Sequence, residues 1–130
     1  MKRFLPAVCL VALVGCSMTP RTVPAGVDVG PQPTQEQIET AARQYPMIAS
    51  LKDPYAAQVQ GAYLIGKGGF RNGLAGIAAG QPPVMWGWLV GFDCNMKNGF
   101  GAYTGFRHRE VLIVPDGRVM ARPEYLQPNN

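Results

Sequence analysis

Between Val84 and Cys94 the chain alternates by size. Trp86, Trp88, Val90 and Phe92 recur every second residue, with Met85, Gly87, Leu89 and Gly91 between them. Successive side chains of a strand point to opposite faces, so this spacing puts the bulky residues on one side and the glycines on the other. Such a strand is expected to be central: its aromatic face fills a core, and its glycine face admits a close approach by another element. A sheet built on it must bury that apolar face against a second layer.

The covering layer is predicted upstream. Thr34 with Gln37 makes a capping-box pattern, and Glu36 and Glu39 fall in the first turns, where the helix dipole favours anions. Ile38, Ala41, Ala42 and Tyr45 then recur at helical spacing and form one apolar stripe. Pro46 ends or kinks this helix near Gln44. Met47, Ile48 and Leu51 continue the apolar face until Asp53-Pro54, which reads as a second helical start.

From Gln58 the period becomes two, with Val59, Gly61, Tyr63 and Ile65 alternating with Gln60, Ala62 and Leu64, as in a strand. Residues 66–83 are glycine-rich and read as a loop, with Asn72-Gly73 a turn signal, Pro82-Pro83 a stop, and room for a short strand near Leu74 to Ala79. After Cys94 come a loop from Asn95 to Gly105, a strand from Phe106 to Val114, a Pro115-Asp116-Gly117 turn and a short strand from Arg118 to Ala121. The fold class is α+β: one or two N-terminal helices packed on a small antiparallel sheet of about four strands.

The N-terminus carries a different signal. Lys2 and Arg3 precede the apolar run Phe4 to Val14, which is shorter than the roughly 20 residues of a membrane-spanning helix. The run closes on Leu13-Val14-Gly15-Cys16, which resembles the lipobox of a bacterial lipoprotein precursor. The resemblance implies cleavage after Gly15, a diacylglyceryl group on the Cys16 thiol and an acyl chain such as palmitate on the new amine. Ser17, in place of an aspartate, implies sorting to the outer membrane, with the domain facing the periplasm or the cell surface. Two or three acyl chains hold firmly where one, at about 0.8 kcal/mol per buried CH₂, anchors only marginally. The expected organisation is a signal peptide at 1–15, lipidated Cys16 and a Pro/Gly-rich tether at 16–33, the α+β domain at 34–122 and a C-terminal tail at 123–130. Extended at about 3.1 Å per residue, the tether would reach on the order of 50 Å.

Removing residues 1–15 leaves ten basic and eight acidic residues. No basic stripe interleaved with aromatics survives, so a nucleic-acid partner is not expected. Cys9 lies in the signal and Cys16 is the lipid site, which leaves Cys94 with no partner for a disulfide framework. At the end of an apolar run, Cys94 reads as a small buried hydrophobe.

Chemical motifs fail on inspection. Gly61 to Lys67 fits a GxxxxGK spacing, but Gly68 stands where a phosphate loop needs Ser or Thr. Asp93, Asn95 and Lys97 have the spacing of a calcium loop, with a cation at the third ligand and Thr104 where a bidentate glutamate belongs. His108, the only histidine, lies between Arg107 and Arg109 and reads as a partly exposed strand residue. Neither a metal nor a cofactor is expected.

The most distinctive stretch runs from Asn95 to Gly105. It resembles an N-x-K-N-x-x-G-x-Y-T-G loop of small, uncharacterised proteobacterial envelope proteins, with Ala102 where that form usually has a second glycine. Leu51-Lys52-Asp53-Pro54-Tyr55-Ala56-Ala57 resembles the L-K-D-P-x-S-A segment of the same proteins, with Ala56 for the serine. The resemblance implies a shared fold and no particular activity. Structurally, the loop is a long hairpin connection pinned by Tyr103 and Thr104. Functionally, Asn95, Lys97, Asn98, Tyr103 and Thr104 would form a binding loop for an anionic or carbohydrate ligand.

The expected role is a non-catalytic binding or structural module of the cell envelope, held to the membrane through the lipid on Cys16. Another envelope protein or peptidoglycan would be its partner. One alternative is an inhibitor or immunity-type lipoprotein presenting the 95–105 loop. Another is an enzyme using Cys94 with His108 or Asp93, which requires an accessible thiol.

Overall fold

The computed structural model describes residues 22–49 and 51–121. The expected signal peptide, Cys16 and the tail at 123–130 lie outside the described residues. Two helices, α1 (Gln35–Arg43) and α2 (Pro46–Ala49), and a single 3₁₀ turn (Pro54–Ala56) precede the sheet. The sheet holds β1 (Gln58–Arg71), β2 (Val84–Asn95), β3 (Arg107–Ile113) and β4 (Val119–Ala121), paired antiparallel in chain order, and a short helix α3 (Leu74–Ala78) joins β1 to β2. The expected α+β architecture is the one observed.

The capping box forms in full: the Gln37 N–H donates to Thr34 Oγ1 at 3.3 Å, and the Thr34 N–H donates to Gln37 Oε1 at 2.9 Å. The predicted stripe becomes the covering layer. Ile38, Ala41, Ala42, Tyr45 and Ile48 are buried against Val90, Phe92, Cys94 and Val111. At the centre, the Tyr45 and Phe92 rings meet edge to face, 5.6 Å apart at 68°. A smaller cluster, Phe70, Leu89, Leu112 and Val114 with Ile65, Met85 and Met120, lies on the opposite face. Its register follows from the Leu89–Leu112 and Leu112–Met120 pairs.

The aromatic face of β2 is covered unevenly. Val90 and Phe92 are fully buried, whereas Trp86 and Trp88 are half-buried because α1 lies over the other half of the strand. The two glycines expected to admit a close approach both do. At Gly87 the backbone of Ile113 and Val114 comes so near that a Cβ would lie 2.9 Å from the Ile113 carbonyl carbon. At Gly91 the Tyr63 ring lies across the glycine.

Four expectations are corrected. The first strand does not stop at Ile65 but runs on through Gly66, Gly68 and Gly69 to Arg71, paired with β2 down to Val84. Glycine weakens a strand signal, so the hydrophobic pattern disappears where cross-strand pairing still holds the backbone extended. Register shifts fall between Gln60 and Tyr63 and between Leu64 and Gly66, where Gly61 and Gly66 take positive φ. Leu74 to Ala78 is a helix, not a strand. Asp53-Pro54 starts only one 3₁₀ turn, and Asp53 makes no side-chain cap.

The fourth correction concerns the tether, whose described part is packed on the domain. Val29 and Pro33 are buried, and Trp88 Nε1 donates to the Gly30 carbonyl at 3.1 Å. Prolines and glycines here shape a fixed strap, which composition alone does not distinguish from a free linker. On the β1 side, Gln35 Nε2 donates to the Ala62 carbonyl at 3.1 Å and Arg43 Nη1 to the Ala57 carbonyl at 2.8 Å.

Candidate functional site

Polar groups of the 95–105 loop bond within the loop and to Ala56 and Gln58. Buried Asn95 donates to Gln58 Oε1 at 3.0 Å and accepts from the Gly105 N–H at 2.9 Å. Asn98 Oδ1 accepts from the N–H groups of Phe100 and Ala102, at 2.9 and 3.1 Å. Lys97 bridges to Tyr103, with its Nζ 5.3 Å from the ring centroid. The Tyr103 hydroxyl donates to the Ala56 carbonyl at 2.9 Å, and Thr104 Oγ1 donates to the Met96 carbonyl at 3.3 Å. The Tyr103 bond ties the 95–105 loop to the 51–57 segment. Phe100 stands 97% exposed at the tip of the loop, and Lys97, Asn98, Tyr103 and Thr104 are exposed with it.

Cys94, Asp93 and His108 do not converge. Cys94 is 2% exposed on the helix-covered face, beside Arg107 and Arg109 in a small pocket of about 150 Å³. Asp93 and His108 are cross-strand partners on the opposite face. There His108 Nδ1 lies 3.4 Å from Asp93 Oδ1 and Nε2 lies 3.9 Å from Glu110 Oε1, and the ring stacks on Tyr63 at 6.1 Å. The side chains of Arg107 and Arg109 lie on the Cys94 side of the sheet, and the neighbours of the ring are carboxylates. No group of three or more metal-ligating side chains has a metal-holding arrangement among the described residues.

A different cleft was not legible in advance. The strap at 29–33, the polar side of α1 and the β3–β4 turn enclose about 410 Å³ of open space. Trp88, Pro31 and Pro33 supply apolar wall, while Gln37, Thr40, Gln44, Glu36 and Asp116 supply polar groups. The backbone N–H and then the guanidinium of Arg118 hold the Asp116 carboxyl below the usual carboxylate range. The bonds responsible run from Arg118 N to Oδ1 at 2.9 Å and from Nε to Oδ2 at 2.6 Å. The cleft therefore keeps a fixed acceptor at its rim. Its sequence signal was the polar stripe of α1 opposite the apolar one, but nothing in the sequence placed that stripe beside Trp88. No family model, curated protein or solved structure matches this chain, so the site is judged on its own chemistry.

Proposed function

We propose that this chain is a lipoprotein held to the outer membrane through acylated Cys16, and that its domain is a non-catalytic binding module facing the periplasm. The N-terminal charge and hydrophobicity pattern supports the anchor. The binding role rests on the cleft, where an indole and proline rings adjoin amide, hydroxyl and carboxylate groups. That mixture suits a glycan, whose hydroxyls exchange hydrogen bonds with Gln, Thr and Asp while its ring carbons lie on apolar surface. The glycan strands of peptidoglycan are the ligand of this class within reach of an anchored periplasmic domain.

Co-sedimentation with purified peptidoglycan sacculi tests this. Replacing exposed Thr40 and Gln44 together with alanine is expected to weaken sedimentation roughly thirtyfold, at about 1 kcal/mol for each lost hydrogen bond. The melting temperature should not change, because both side chains face the cleft and not the core. Equal binding by the two proteins would remove the glycan assignment. The anchor is tested separately. A Cys16→Ser chain should lack the lipid and give a soluble, unprocessed or mis-sized product, and retention in the membrane fraction at the wild-type mass would refute it.

A further inference from the structure

The connection between β1 and β2 ends in an apolar tip that the fold does not use. Asn72 to Pro83 contains no charged residue, and α3 within it reads Leu-Ala-Gly-Ile-Ala. None of its residues is buried, with Leu74 87% and Ile77 41% exposed. A helix of such composition, turned entirely outward, is matched to a surface other than water.

Two further observations identify that surface. The first is charge: no Asp or Glu occurs between Gly68 and Phe92, while exposed Lys67 and Arg71 lie on the strand leading to the tip. Half-buried Met85 and Trp86 begin the returning strand. Apolar side chains at the end, Arg71 and then the Trp86 indole behind them, and Lys67 beyond make a set found where proteins enter a bilayer interface.

The second is where the chain enters. Val23, Pro24 and Val27 share a depression with Lys67, about 13 Å along the strand from Arg71. The six peptide steps from Thr22 back to Cys16 cover at most about 20 Å. A lipid on Cys16 thus keeps the membrane near the tip end of the sheet. This placement rests on the lipoprotein reading; the outward apolar helix does not.

We infer that the β1–β2 tip docks on the bilayer. Leu74 and Ile77 enter the boundary between headgroups and acyl chains, and Lys67 and Arg71 face anionic phospholipid headgroups. This contact orients the domain on the leaflet that carries its anchor.

The test uses chain 16–130 with Cys16→Ser, which has no lipid and keeps every residue of the described fold. It is sedimented with vesicles of phosphatidylcholine alone and with an equal mixture of phosphatidylcholine and phosphatidylglycerol. Binding is expected to the mixed vesicles and to fall with added salt. Leu74→Ser with Ile77→Ser should weaken it roughly tenfold or more while leaving the circular dichroism spectrum and melting temperature unchanged. Failure of the unsubstituted chain to sediment, or equal sedimentation of the double variant, would overturn the inference. So would sedimentation velocity showing a dimer that the double variant abolishes, since a second copy would then be what covers the tip. Each of these results leaves the mass of the Cys16→Ser product untouched, so the anchor and the docking tip stand or fall apart.

Discussion

Gly87→Ala should lower the melting temperature by roughly 15 °C or more, the largest effect expected of any single methyl group in the described chain. The added Cβ would overlap the Ile113 carbonyl oxygen and lie 2.9 Å from its carbon and 3.1 Å from Val114 Cα. All three are backbone atoms, so no rotamer change relieves the overlap and the β2–β3 pairing itself must open. Overpacking costs about 1–3 kcal/mol even where side chains can adjust, and the upper end or beyond applies here. For a domain of this size each kcal/mol moves the midpoint by about 4–8 °C. Gly91→Ala is the built-in comparison. There the three atoms nearest the added Cβ, 2.8–2.9 Å away, all belong to the Tyr63 side chain, which is 49% exposed and able to swing out. Thermal denaturation followed by circular dichroism should separate the two alanines clearly. Equal shifts would mean that Gly87 is not held against its neighbouring strand.

Phe92→Ala should cost about 3–5 kcal/mol, the usual range for emptying a buried aromatic site. Total stabilities of such domains are about 5–15 kcal/mol, so the loss takes a third or more of what holds an average domain folded. Phe92 is fully buried and supplies the ring that Tyr45 meets edge-on, so its removal loosens α1 from the sheet as well as leaving a void. Phe92→Leu keeps most of the volume and should lose about 1.5 kcal/mol. Urea titration distinguishes the three proteins. A Phe92→Ala midpoint close to that of Phe92→Leu would show that the site collapses and that the helix is held elsewhere.

The sequence revealed elements wherever local chemistry decided them. Thr34 and Gln37 made the capping box their spacing announced, β2 was extended and central, and Asp116 bonded locally in its turn beside Gly117 with φ 89°. Legibility failed where long-range pairing overrode composition. Gly66, Gly68 and Gly69 look like loop residues until β2 lies beside them, and the prolines of the strap look like linker until Trp88 bonds Gly30. The candidate site failed for the same reason. The polar side of α1, Trp88 and Asp116 are scattered along the chain, and only the strap and the last turn bring them around one cleft. His108 is the partly exposed strand residue expected, and its sequence neighbours lie on the opposite side of the strand. Asp93 and Glu110, not Arg107 and Arg109, share its side of the sheet.

β1 is an outer strand of 14 residues, long enough for a neighbouring molecule to extend the sheet in register. The proposed lipid anchor would raise that hazard by confining many copies to two dimensions. The irregularities at Gly61 and Gly66 spoil the straight template, and Gln35 and Arg43 reach over from α1 to occupy carbonyls at Ala62 and Ala57. The same helix that seals the core thus also guards the rim against fibre-like stacking.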